Sequence, residues 1–243
     1  MNSAAPPLAP IRLAGAQLML DPAGAVLWPE QGLLAIADLH LEKASAAARR
    51  GSLLPPWDSM LTLDRLALLL ARHRPRIVIA LGDSFHDAGA PARLAPAQAA
   101  RIAAIAAAHR LIWIAGNHDP APPPVALGGE AMAEFALAPL VFRHAPVAAR
   151  QAGTGEVAGH FHPKARIAAR GARIARPCFV TDGARLLLPA FGTYTGGLDA
   201  TDPAIAALFP EGAQAFLLGE GRLFSFALRR AAAPGGKDRR TGG

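Results

Sequence analysis

The sequence predicts an α/β domain, and three observations predict it. Short apolar runs alternate with apolar patterns at helical spacing through the first half of the chain. Several of these runs end abruptly on a polar residue able to bind a metal. All of the eight histidines except His73 and His109 lie in or beside such run ends.

The elements read as follows. Residues 1–10 are rich in Ala and Pro and read as a loose arm. Residues 11–20 and 25–28 flank the turn signal Asp21-Pro22-Ala23-Gly24 and predict a hairpin. LLAIA at 33–37 predicts a buried strand ending at Asp38. Residues 41–50 predict a helix stopped by Gly51. After Pro55-Pro56, residues 58–73 carry Met60, Leu61, Leu63, Leu66, Leu69 and Leu70 at helical spacing, with Asp58 as N-cap. RIVIAL at 76–81 predicts a second strand, 95–109 an Ala-rich helix, and LIWIA at 111–115 a third strand. The second half carries short strand patterns at 139–143, 156–158, 178–181, 185–189, 215–218 and 222–228. There is no internal repeat and no linker, so residues 11–230 read as one domain, followed by a basic disordered tail at 231–243.

Composition narrows the class. A chain of 243 residues can bury a core without staples, and 52% apolar against 18% charged residues excludes a disordered protein. No apolar run is long enough to span a bilayer, and no secretory signal is expected. Cys178 is the single cysteine, which excludes an internal disulfide and fits a cytoplasmic protein; it reads as a small buried hydrophobe. The net charge is +7 and the pI about 10.9. That suits a polyanionic partner, but all except three of the 25 basic residues are arginines, as a GC-rich genome would also produce.

The polar residues at the run ends carry the chemistry. Asp38 and His40, Asp83, Asn117 and His118, His144, and His160 and His162 each follow a strand pattern. Strand C-termini of an α/β sheet line the crevice where ligands bind, so these side chains are expected to converge. The donors are mixed N and O without thiolate, which disfavours a structural zinc site. They are too many for one ion and suit two, with Asp83, alone on its strand end, as the bridge. Such a set is consistent with manganese, iron or zinc. Gly82, Gly116 and Gly159 stand next to candidate ligands, where a glycine permits close approach. His73 and His109 read as favourable helix C-terminal charges.

The ordered series Asp38-Leu39-His40, Gly82-Asp83, Gly116-Asn117-His118-Asp119, a lone His144 and Gly159-His160-Phe161-His162 resembles the calcineurin-like metallophosphoesterase superfamily. DLHLEK at 38–43, LGDSFHD at 81–87, GHFHPK at 159–164 and FGTYTGGL at 191–198 resemble, within it, the ligase-associated DNA-damage-response endonuclease (PdeM) family. The resemblance implies two face-to-face mixed β-sheets flanked by helices. It implies Asp38, His40, Asp83 and His162 on one divalent ion, and Asp83, Asn117, His144 and His160 on another, manganese for preference. His118 would be the catalytic group at the scissile phosphate, oriented by Asp119, with in-line attack by a metal-bound hydroxide. The implied substrate is DNA, single-stranded for preference, in repair, with an ATP-dependent ligase, a helicase and an exonuclease as functional partners. The alternatives are a small-molecule phosphodiesterase or nucleotide pyrophosphatase on the same fold, and a non-catalytic scaffold. The complete ligand set argues against the scaffold.

Three lesser readings accompany this. Lys164, Arg166, Arg170, Arg173 and Arg176 form either a basic track for a nucleic-acid backbone or a solvated loop. Trp57, Phe85, Phe161 and Tyr194 are candidates to stack on bases. His86 and Asp87 orient ligands or build a local turn.

Overall fold

Strand β4 (Leu33–Ala37) buries every residue, and its alternate side chains enter two different cores. Leu33, Ala35 and Ala37 face one cluster, Leu34 and Ile36 the other. Strands β5 (Ile77–Leu81) and β6 (Arg110–Ile114) divide their side chains in the same way. A strand covered on both faces reads as a continuous apolar run, which is why LLAIA, RIVIAL and LIWIA lack polar alternation. In this computed structural model, residues 7–169 and 172–228 are described.

The first sheet has seven strands in chain order: β1 (Ala9–Leu13), β2 (Ala16–Leu20), β3 (Val26–Trp28), β4, β5, β6 and β7 (Glu130–Met132). The β1-to-β4 pairings are antiparallel and the β4-to-β7 pairings parallel. Helix α1 (Lys43–Arg49), α2 (Asp58–His73), α3 (Ala90–Arg93) and α4 (Pro96–Ala108) connect the parallel strands. Leu63, Leu66, Leu69 and Leu70 of α2 and Ile102 of α4 fill the cluster on the helical face.

The second sheet also mixes directions. Its order is β15 (Leu223–Leu228), β14 (Ala213–Leu218), β12 (Ala172–Thr181), β13 (Arg185–Leu187), β10 (Gly155–Ala158), β9 (Leu140–Arg143) and β8 (Glu134–Leu137), with β11 (Lys164–Ala169) paired to β12. The two sheets face each other across a core that includes Leu18, Ile79, Phe142, Val157, Phe179 and Phe216. Helix α5 (Pro203–Ala206) covers the outer face of the second sheet through Ile205. The sheets meet directly beside the polar strand ends, where Ala37 bridges Ala190 and Phe191 N donates to Ala37 O at 2.8 Å. The two mixed sheets flanked by helices are the architecture expected.

Several boundaries differ from the sequence reading. Strand β1 begins at Ala9, inside the segment read as a loose arm, because Ala9 pairs with Leu20. Residues 11–20 are two strands, turned at Ala14 and Gly15, both at positive φ. Asp58 is the first residue of α2 and not its N-cap; its Oδ2 accepts from Ala44 N at 3.1 Å. Met60 and Leu61 are each 39% exposed and lie off the buried stripe. His73 is held by buried Asp21, its Nε2 2.8 Å from Oδ2, so a specific hydrogen bond replaces a mere helix-end preference. Residues 231–243 lie outside the described residues. Among the described residues, no helix is long and apolar enough to cross a membrane.

Candidate metal centre

Each strand end delivers its polar residue through a tight turn. Asp38, His40, Asp83, His160 and His162 all have positive φ, between 44° and 72°. A non-glycine residue held there costs about 1–3 kcal/mol, so the surrounding structure must over-determine it. Backbone bonds do so: His40 N donates to Asp83 O at 2.8 Å, and Leu41 N to Ser84 O at 2.9 Å. Gly82 has φ +69°, and a Cβ there would collide with the His144 ring. At Gly159 a Cβ would stand 2.5 Å from Asp38 Oδ2. Both glycines therefore let backbone touch a neighbouring donor.

The donors converge in two groups. In the first, His162 Nε2 lies 3.3 Å from Asp38 Oδ1 and 3.4 Å from His40 Nε2. Asp83 Oδ2 is 3.8 Å from His40 Nε2. The donor atoms of Asp38, His40, Asp83 and His162 all lie within 4.8 Å of one another. In the second group, Asn117 Oδ1 is 2.8 Å from His144 Nε2 and 3.0 Å from His160 Nδ1. Those two nitrogens are 3.1 Å apart. Asp83 Oδ2 is also 3.5 Å from His144 Nε2, so one carboxylate oxygen adjoins both groups.

The chemistry of these donors fits divalent cations. Asp38 and Asp83 are buried, and among the described residues no lysine or arginine pairs with them; only ring nitrogens of His40, His144 and His162 stand within 4 Å. A buried carboxylate without a cation is costly. His144 Nδ1 lies 3.1 Å from Leu81 O; a carbonyl only accepts, so Nδ1 carries the proton and Nε2 presents its lone pair to the group. Burial, followed by the neighbouring His162, pushes His40 down to about 2. Burial also lowers His160. Neutral imidazoles and ionised carboxylates are the ligating forms.

His118 stands at the mouth, exposed, with its ring 5.0 Å from that of His40. Its Nδ1 donates to His86 O at 2.8 Å, which leaves Nε2 free. Asp119 does not orient it. The Asp119 carboxylate accepts from Phe85 N at 3.0 Å and from Gly116 N at 3.1 Å, and so ties two ligand loops together. Burial pushes this carboxyl up to about 6.

Sequence reasoning missed or misjudged several groups. The His86 ring stacks on His118, and its Nδ1 is 3.4 Å from His40 Nδ1. Asp87 instead builds a turn, accepting from Gly89 N and pairing with Arg93. Ser59 Oγ accepts from Glu42 N and donates to Glu42 Oε1, both at 2.8 Å, locking the turn after His40. Glu42 was visible within DLHLEK as a residue without a ligand role. FGTYTGGL now has a structural reason. Gly192 N donates to Asp38 O, and Gly197 packs against the His162 backbone.

The basic track is broken. In the β11 to β12 pairing Lys164 and Arg166 share one face, whereas Arg176 sits opposite Ala165 on the other. Arg166 pairs with Asp199 at 3.1 Å. Arg170 and the side chain of Arg173 lie outside the described residues. Among the aromatics, Phe85 is buried and unable to stack on a base, Phe161 is half-buried against His160, and Trp57 and Tyr194 are exposed.

The model of the calcineurin-like phosphoesterase family matches residues 33–173. Among solved structures, the chain is similar to Pseudomonas putida nuclease MPE, with 33% identity, a TM-score of 0.70, and 90% of this chain and 100% of that chain covered. It is also similar to YfcE, a phosphoesterase from E. coli, with 15% identity, a TM-score of 0.42, and 81% and 99% covered. Comparison with curated proteins returns no match.

Proposed function

Since the chain belongs to the calcineurin-like phosphoesterase family, we propose that it is a dinuclear, metal-dependent DNA endonuclease. The observation that carries the reading is the position of the Asp83 carboxylate, which adjoins both donor groups and has no lysine or arginine paired to it among the described residues. Asp38, His40, Asp83 and His162 would hold one ion; Asp83, Asn117, His144 and His160 would hold the other. Manganese suits the mixed N/O set, with iron or zinc as alternatives. Bound ions would polarise a phosphate and lower the pKa of a coordinated water.

The chain's own residues do the rest. The two carboxylates and the strained turns set where the phosphate sits. His118, its Nδ1–H held by His86 O, turns Nε2 to the leaving oxygen; with a second proton on Nε2 it would donate that N–H to the oxygen and hand the proton over as the P–O bond breaks. Asp119 holds the His118 loop against the Asp83 loop through backbone bonds. The 33% identity with a nuclease supports a nucleic-acid substrate, and the net charge of +7 suits one. Single-stranded DNA, a repair role beside a ligase, a helicase and an exonuclease, and a cytoplasmic location complete the proposal.

The test is cleavage of circular single-stranded DNA by metal-stripped protein, with manganese restored and Asp83→Ala alongside. Manganese-dependent opening by the wild type alone supports the endonuclease, because a circle offers no end. An intact circle, with a bis-aryl phosphodiester still hydrolysed, moves the substrate to the small-molecule class.

A further inference from the structure

Three cations stand on one flank of the donor groups. Lys43 opens α1, three residues after His40. Arg50 follows its end and brings Nη2 to 3.5 Å from His86 Nε2. The His86 ring in turn stacks on His118, with centroids 5.4 Å apart. Lys164 opens β11, two residues after His162, and donates from Nζ to Thr195 O at 3.0 Å.

The three feel one another. Burial lowers the Lys43 ammonium, and Lys164 and Arg50 lower it further. Asp58 is the carboxylate facing Lys43, and its Oδ2 is already engaged by Ala44 N. Asp87 is engaged by Arg93. Among the described residues, none of Lys43, Arg50 and Lys164 forms an ion pair, and unlike the other unpaired cations these three border the donor residues. Uncompensated like charges repel, and an anion placed among them relieves that cost.

We infer that Lys43, Arg50 and Lys164 form a subsite for a second phosphate, adjacent in the strand to the phosphate at the donor groups. The inference rests on the nuclease reading and sharpens its substrate class. A polynucleotide supplies a neighbouring phosphate on the same strand; a small diester with one phosphate leaves the subsite empty.

The test is anisotropy of a short labelled oligothymidylate, with phosphorothioate linkages to slow cleavage, titrated with manganese-loaded full-length protein across a range of salt. The triple variant Lys43→Ala, Arg50→Ala, Lys164→Ala is expected to bind at least tenfold more weakly at low salt. Its plot of log affinity against log salt should flatten by about 0.7, the contribution of one single-strand phosphate that is no longer neutralised. The variant Lys43→Arg, Arg50→Lys, Lys164→Arg should keep the wild-type slope, which separates charge from packing. Arg110→Ala, at the opposite end of β6, should match the wild type. Wild-type affinity and slope in the triple alanine variant would overturn the subsite and leave the nuclease reading standing. A wild type that hydrolyses a bis-aryl phosphodiester but binds no oligonucleotide at low salt would remove the nuclease reading, and the subsite with it.

Discussion

The His118 Nδ1 atom donates a hydrogen bond to the backbone carbonyl of His86, 2.8 Å away. A carbonyl cannot donate, so Nδ1 carries a proton and Nε2 is turned to the substrate, where a second proton would make it the general acid. Because the orienting atom is backbone, no side-chain substitution at 86 removes it. His118 ligates nothing in either donor group, so His118→Ala should retain both metal equivalents by elemental analysis. Its kcat should fall about 10²–10⁴-fold, the range for loss of a general acid. Asp83→Ala should lose both equivalents, since one carboxylate oxygen adjoins both groups. Metal loss in His118→Ala would overturn this division of roles.

Gly82 separates two effects that are usually mixed. At φ +69° an alanine is strained, and its Cβ would collide with the His144 ring. The strain alone costs about 1 kcal/mol or more. The collision must displace His144, whose Nε2 belongs to the second donor group and not the first. Gly82→Ala should therefore melt only a few degrees lower, yet bind one metal equivalent in place of two. Two retained equivalents would show that His144 adapts.

The site was more legible than the sheets around it. Asp38, Asp83 and Asn117 could be read because buried parallel strands leave uniform apolar runs, and such runs end conspicuously. Strands β7, β8 and β11 were missed because EAM, EFAL and KARIAA hold few β-branched residues and gain their structure from partners. The turn at Ala14 and Gly15 carries none of the usual Asp, Asn or Pro markers. The expected role of Asp119 followed from the family resemblance. Sequence neighbours do not share a direction in a tight loop, and the carboxylate turns back to Phe85 N and Gly116 N. His86 acts on His118 through its carbonyl, which no motif of side chains can display.

The buried pair of Glu156 and Arg185 controls the approach to His144. Arg185 Nε donates to Glu156 Oε2 at 2.5 Å, and Arg185 also bonds the Val147 and Leu208 carbonyls. Glu156 Oε1 accepts from Val147 N at 3.0 Å, so the pair clamps the segment just after His144. Removing Arg185 leaves buried Glu156 only the weaker pairing of Arg143 Nε with its Oε1 at 3.5 Å, and Arg185→Met should cost about 3 kcal/mol in chemical denaturation. The double variant Glu156→Gln, Arg185→Met should cost less than the sum of the single variants, since no unpaired charge remains. Additive losses would show that the two side chains act independently.

Cys178 tests the second sheet without touching the metal donors. Its thiol is fully buried on β12, opposite Leu217 of β14, and burial pushes it up to about 12 from an ordinary 9.0. Thiolate is the reactive form, so the native protein should be inert to a disulfide reagent at pH 8, and denaturant should release one reactive thiol. The same shift gives a sign for stability. A folded pKa raised above the unfolded one contributes stability that is fully present below pH 9, and the contribution is lost as pH rises towards 12. Between those limits the wild type should lose stability faster than Cys178→Ala, which lacks the ionisable group. The variant leaves a small cavity and so starts lower at pH 7, by up to about 1–2 kcal/mol. The two curves should approach as the solution becomes alkaline. Parallel curves, or rapid labelling of the native thiol, would show that the sheet opens around β12 more readily than its burial implies.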